Sequence, residues 1–402
     1  MNLKEEGKII YMLGDAEELG NIRKQEPLVP FAEETMHFLS ALSERIFLDH
    51  EVHKMPEAAA FAFWCRRAHL EQMRAEYDFS KEKRLGRGVS LHFAPFNMPV
   101  LFAFTLAAGM LAGNSMIVRL PGKESVQERL IVSHIRGMLK DGFSQFQGRL
   151  ILCRYPHDQE ITDALSALCD VRVIWGSDYS VLQIRKSPLP PRAVDLPFAS
   201  RGSAALFHAQ SVGEAVDMEA LAKNFYQDTY LNDQNACSSP LMIYWLGTSK
   251  ETESAKERFW AAVLKLLEQK DYPISASLAV QKLEGALALS AVFPGAKIRQ
   301  ESNRLVRVSV PVLEHEMWDY TVPGGFFIES EGETLEGILR ILNGYCQTLS
   351  TYGMDNQKLA EEIVKRRISG VDRVVQIGHA LDFSLVWDGF DLITSMSRRI
   401  LC

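Results

Sequence analysis

From residue 88 to residue 186 the chain repeats one pattern, a short apolar run, a turn, then an amphipathic stretch at helical spacing. "GVSLHFAP" reads as a strand and 100–111 as a helix, "SMIVRL" as a strand and 125–139 as a helix. "RLILCRY" and 158–168 follow, then "VRVIWGS" and 178–186. Such alternation predicts a parallel sheet covered by helices on both faces, because each crossover must return the chain to the same sheet edge. A second α/β series starts with "AALFHA" and a helix over 216–226, then "LMIYWLG", long helices over 249–269 and 275–289, and the strands "RLVRVSVPV" and "GGFFIES". Between the series, "KSPLPPRAVDLPFASRGS" breaks the pattern with prolines and reads as a crossing between domains.

At 402 residues two domains are the default. The pattern divides the chain into a helical region over 1–80, a first α/β domain over 81–200, a second over 201–376, and an arm over 377–402. That arm, "GHALDFSLVWDGFDLITSMSRRI", mixes aromatics with turn residues and is expected to pack against the first domain or a neighbouring subunit. Within the helical region, Trp64 and Cys65 fall on an apolar periodicity and read as core.

A net charge of −7 argues against a general nucleic-acid or anionic-membrane surface. The longest apolar stretch, 98–113, is sixteen residues and too short to span a bilayer. No apolar run with a cleavage site follows the acidic start, so the expected location is the cytoplasm. The six cysteines show no C-x-x-C pair and the histidines no H-E-x-x-H, so neither a disulfide framework nor a metal site is expected.

Ligands of parallel α/β sheets bind where strands end and helices begin. Three such places stand out. In "APFNMPV", Pro95 and Pro99 fix the backbone around Phe96 and Asn97, although an asparagine there also reads as a helix cap. In "IVRLPGKES", Arg119 and Lys123 bracket a strand-to-helix turn, suited to phosphate or simply to water. Gly176 and Ser177 form a third turn, open to a phosphate but common in any loop. No G-x-G-x-x-G occurs. Further on, "NDQNACSSP" places Cys237 among small polar residues before a strand. If the turn opens a helix, its N–H groups would favour the thiolate; a lone cysteine is otherwise usually inert.

The order of these elements resembles the aldehyde dehydrogenase superfamily, with its "P-W-N-x-P" turn, "G-N-x-x-V-x-K-P" strand, Gly-Ser turn and later cysteine. "GNSMIVRLP" matches the second element with Arg119 at the family's lysine. "NDQNACSSP" and the tail are similar to the LuxC-type acyl-CoA reductases, the fatty acid reductases of bacterial luminescence systems, from about residue 85 onward. The resemblance implies a Rossmann-type cofactor domain and a catalytic domain. It implies that Cys237 forms a thioester acyl-enzyme, with Asn97 and the Cys237 N–H holding the oxyanion. Pro95, Phe96, Arg119, Lys123, Gly176 and Ser177 would then surround NADPH. The implied reaction is reduction of a fatty acyl-CoA, or of an acyl group carried by a partner synthetase, to the aldehyde, by a homo-oligomer. Relatives that oxidise aldehydes carry "E-L-G-G", whose glutamate activates water; here "ASRGSAALF" has no acidic residue. Its absence fits a reductase, in which hydrolysis would destroy the acyl-enzyme. An acyl-phosphate reductase, or a subunit that only accepts an acyl group, shares most of these features.

Overall fold

The computed structural model describes residues 8–401, so the start of the chain and Cys402 lie outside the described residues. The described residues form two compact units, one of residues 8–199 with 384–401 and the other of residues 200–383.

The first unit contains β1 (Ile10–Leu13), β2 (Lys83–Gly86), β3 (Val89–Phe93), β4 (Ser115–Arg119), β5 (Leu150–Arg154), β6 (Val171–Trp175) and β7 (Val194–Phe198). Its six-stranded sheet has the order β1-β5-β4-β3-β6-β7, parallel except for β1. β3 and β6 are buried along their whole length, as expected of strands covered on both faces. The helices Leu101–Leu111 and Val126–Lys140 carry the chain outward from β3 to β4 to β5. The helix Gln159–Leu168 then returns it across β3 to β6. Strand order therefore reverses at β3, and the loops leaving β3 and β6 diverge. Such a reversal opens a crevice at the carboxyl edge of a parallel sheet.

Local chemistry fixes where these helices begin. Ser125 accepts from the Glu128 N–H at 3.0 Å, and Asp158 accepts from the Glu160 and Ile161 N–H groups. Inside the sheet, His92 lies between the hydroxyls of Ser90 (2.7 Å) and Thr105 (2.5 Å), and Trp175 donates to the same Thr105 oxygen. Full burial pushes the His92 pKa down to about 3, so the imidazole is neutral at ordinary pH.

The proline-rich segment read as a domain crossing supplies β7, the sheet's edge strand, with Pro197 inside it. Proline is tolerated at an edge because one side of the strand needs no ladder bond. The acidic and aromatic tail also forms structure in this unit. Trp387 packs edge-on to Trp175, Phe390 on Phe198, and the strand Ser397–Ile400 pairs antiparallel with β2.

The second unit contains β8 (Gly202–His208), β9 (Pro240–Leu246), β10 (Lys297–Ser302), β11 (Leu305–Ser309), β12 (Phe326–Gly332), β13 (Cys346–Tyr352) and β14 (Arg373–Gln376). The order is β10-β11-β12-β9-β8-β13-β14, parallel except for β10. Its two faces bury separate apolar clusters, one under the helix Ala276–Val292 and one under Ser249–Gln269. The second face carries a buried charge. Glu329 accepts from the indoles of Trp245 and Trp260, from Arg307 and from Ser309, all within 3.1 Å. Four donors on one carboxylate offset most of the cost of placing it there.

Candidate active site

Asn97 lies in the loop between β3 and the helix Leu101–Leu111, at the carboxyl edge of the first sheet. Pro95 is half-buried at the base of that loop, while Phe96 and Asn97 are exposed. Gly176 and Ser177 leave β6 on the other side of the order reversal. The Gly176 N–H donates to the Phe198 carbonyl, and Ser177 caps the short helix Asp178–Ile184 by accepting from the Ser180 N–H. Arg119 ends β4 on the same edge, and Lys123 stands exposed four residues on. The sheet thus gathers Pro95, Phe96, Asn97, Arg119, Lys123, Gly176 and Ser177 along one edge.

Arg119 is not a bare cation. Its Nη2 donates to the Tyr155 carbonyl at 3.2 Å, and its guanidinium lies 5.5 Å from the centre of the Tyr155 ring. Burial lowers its pKa, which at its ordinary value near the top of the scale leaves it charged. Glu124, which follows Lys123, is held by a two-nitrogen ion pair to Arg129 at 2.6 and 2.8 Å. Its carboxylate is therefore neutralised within the chain rather than facing the Arg119–Lys123 turn alone.

In the second unit Cys237 lies on a turn that runs directly into β9, with the Ser239 N–H donating to the Ala236 carbonyl. No helix starts there, so the helix N–H groups considered from the sequence do not contribute. Cys237 sits at the amino edge of its sheet, opposite to where strand ends direct ligands in a solitary parallel sheet. Of the five cysteines described, four are buried and Cys237 is half-exposed. Burial pushes the Cys153, Cys169 and Cys346 thiols up to about 12 and Cys65 well above its ordinary value. At neutral pH these four are protonated and inert.

The turn is held from both sides by residues the sequence did not single out. Gln234 is buried in the left-handed region, at φ 59°. Its Nε2 donates to the carbonyls of Pro240 (2.8 Å) and Phe326 (3.3 Å), and its Oε1 accepts from the N–H groups of Gly325 (2.7 Å) and Phe326 (3.4 Å). On the far side, the Ser203 hydroxyl donates to the Cys237 carbonyl at 2.7 Å and accepts from the Thr348 N–H at 3.0 Å. The loop is so bolted to the starts of β8, β9, β12 and β13. Gly325 has φ +90°, and a Cβ there would run into the Arg304 carbonyl and the Tyr230 ring. Ser238 and Ser239 are buried beneath the turn, so their small size permits close packing below the thiol.

The fold is that of the aldehyde dehydrogenases. The chain superposes on methylmalonate-semialdehyde dehydrogenase from Oceanimonas doudoroffii with a TM-score of 0.69 at 11% identity, covering 96% of this chain and 88% of that one. An NAD-dependent aldehyde dehydrogenase from Sinorhizobium meliloti gives 0.69 at 13% identity, covering 96% and 85%. Within that class the assignment sharpens: the acyl-CoA reductase (LuxC) family model matches residues 36–291, and the chain belongs to that family. A long-chain acyl-protein thioester reductase of Aliivibrio fischeri is 21% identical over 309 residues, 74% of this chain and 61% of that protein. The Vibrio harveyi protein of the same name is 23% identical over 299 residues, 73% and 59%. The chain thus spans about three fifths of the length of these relatives. Among the described residues, no helix is long and apolar enough to cross a membrane.

Proposed function

We propose that this chain reduces a long-chain acyl thioester to the fatty aldehyde with NADPH, through a covalent acyl-enzyme on Cys237. The observation that carries this reading is a half-exposed thiol on a turn fixed by buried hydrogen bonds, when the other described cysteines are deeply buried. The Cys237 thiolate attacks the acyl carbonyl, and the carbon–sulfur bond to the donor breaks as the donor thiol leaves. Asn97 and the Cys237 N–H would hold the negative oxygen that develops. When bound, NADPH supplies the hydride that reduces the thioester carbon. The Cys237–acyl bond then breaks with its electron pair on sulfur, and the thiol is restored by one proton from solvent.

The residues along the carboxyl edge of the first sheet fit such a cofactor. The crevice lies where strand order reverses, Lys123 is exposed, Arg119 is charged, and Arg129 neutralises the one acidic residue of the turn. A ribose hydroxyl partner at Glu124 is thereby weakened and a 2′-phosphate favoured, which supports NADPH over NADH. The absence of an acidic residue over 199–207 supports reduction over oxidation, since nothing there activates water to hydrolyse the acyl-enzyme.

The relatives' names favour an acyl group delivered on a protein, such as an acylated synthetase in the cytoplasm; fatty acyl-CoA is the simpler donor with the same thioester, and we read the enzyme as a homo-oligomer. The test is incubation with radiolabelled acyl-CoA and either NADPH or NADH, with aldehyde measured by gas chromatography and protein-bound label by gel. Wild type is expected to form labelled protein and, with NADPH, aldehyde, while Cys237→Ala forms neither. Retention of more than about a hundredth of the activity by Cys237→Ala would refute the covalent route. Label without aldehyde under either cofactor would make the chain an acyl-accepting subunit.

A further inference from the structure

The amino edge of the first sheet, opposite the edge that gathers Asn97 and Ser177, carries a second concentration of charge. Arg87 lies in the turn between β2 and β3, Arg192 two residues before β7, and Arg398 on the tail strand paired with β2. In that ladder Arg398 stands opposite Leu85, two residues before Arg87. Buried Asn114 holds this corner rigid. Its Oδ1 accepts from the N–H groups of Arg87 and Gly88, and its Nδ2 donates to the Met396 carbonyl at 2.9 Å. The Arg87 Nε donates to the Ser395 carbonyl at 2.9 Å, which leaves its two terminal nitrogens without a hydrogen-bond partner among the described residues.

Neutralising groups are scarce here. Glu82 pairs with Arg84 and Arg399. Asp170 lies near enough to act on Arg87, but its oxygens already take the Val89 N–H and the Arg23 guanidinium. Arg192 and Arg398 are exposed and make no ion pair among the described residues. Burial, followed by repulsion from Arg84, Arg192 and Arg398, lowers the Arg87 pKa. A chain of net charge −7 that keeps like charges together on a rigid corner carries a repulsion that an anion would relieve. Planar guanidinium forks match the oxygens of phosphate.

We propose that Arg87, Arg192 and Arg398 form a binding site for a phosphate-bearing ligand, separate from the cofactor edge. The proposal goes beyond the reductase reading and does not depend on it. The same chemistry is offered by inorganic phosphates and by the 3′-phosphate end of a coenzyme A-type molecule. The test is isothermal titration of the full chain with pyrophosphate and with adenosine 3′,5′-bisphosphate at about 0.15 M salt, where surface attraction is screened over roughly 8 Å. Wild type should bind at least one of them at a single site, and Arg398→Gln and Arg192→Gln should each weaken it tenfold or more. Both side chains are exposed, so these variants keep the fold, and NADPH affinity should not move. Equal affinity for the two probes identifies a phosphate-group site, and tighter binding of the bisphosphate identifies a nucleotide site. Binding unchanged in both variants, or binding only at low salt, overturns the proposal. Loss of NADPH affinity alongside would also overturn it, by merging this site with the cofactor edge.

Discussion

Replacing Gln234 with alanine tests whether the Cys237 turn is held as the hydrogen bonds indicate. The substitution removes two short bonds, to the Pro240 carbonyl and from the Gly325 N–H, and two long ones involving Phe326. The four partner groups belong to the backbone of Pro240, Gly325 and Phe326, all of them buried. A net bond contributes about 1 kcal/mol, and a buried group left unsatisfied costs about 1–3 kcal/mol. Counting only the two short bonds in full gives a loss of about 3 kcal/mol. For a unit of roughly 150–250 residues that lowers Tm by about 6–12 °C. Differential scanning calorimetry measures this, and iodoacetamide alkylation of native protein reads the turn itself. The alkylation rate at Cys237 should change several-fold and lose its single-exponential course as the turn samples more than one geometry. Gln234→Glu keeps the acceptor for Gly325 but turns the donors to Pro240 and Phe326 into an oxygen facing oxygens, so it should fail to rescue either readout at neutral pH. Unchanged Tm and unchanged alkylation in Gln234→Ala would show that the amide does not hold the turn.

Asn97→Ala should lower turnover by roughly 10²–10³, the usual cost of one oxyanion donor, with NADPH affinity preserved; unchanged turnover would remove Asn97 from the oxyanion site. Burial raises the Asp228 pKa to about 7, against the Gly378 and Ala380 N–H groups that lower it. A folded-state pKa above the unfolded one contributes stability that is full below about pH 4 and is lost as pH rises through about 7. The Tm gap between wild type and Asp228→Asn should therefore shrink from pH 4 to pH 8, and a constant gap would mean the carboxyl is ionised throughout.

Most of the architecture was legible because strand and helix periods are local. The helix Ser249–Gln269 appears at its expected bounds, fixed by a capping box between Thr248 and Glu251. The strands at the sheet centres read clearly because burial on both faces makes them apolar without interruption. The edges did not read. β1 and β7 are half-exposed, and β7 contains a proline in a segment whose composition resembles a linker. An edge strand needs a ladder on one side only, so its sequence is weakly constrained and its identity depends on a neighbour far along the chain.

The candidate site divides in the same way. The short stretch that carries Cys237 was visible because a thiol among small polar residues is an uncommon local context. What fixes that thiol in place was not visible. Gln234 acts through Phe326, 92 residues away, and Ser203 acts on a carbonyl 34 residues later and on a second strand 145 residues later. A glutamine in a turn and a serine at a strand start carry no local signal of these bonds. The turn, moreover, makes them only once β8, β9, β12 and β13 are aligned at their amino ends. The position of Cys237 is thus a property of the finished sheet rather than of its loop. A peptide with the same nine residues should react as an ordinary thiol, without the fixed orientation that four strand starts impose.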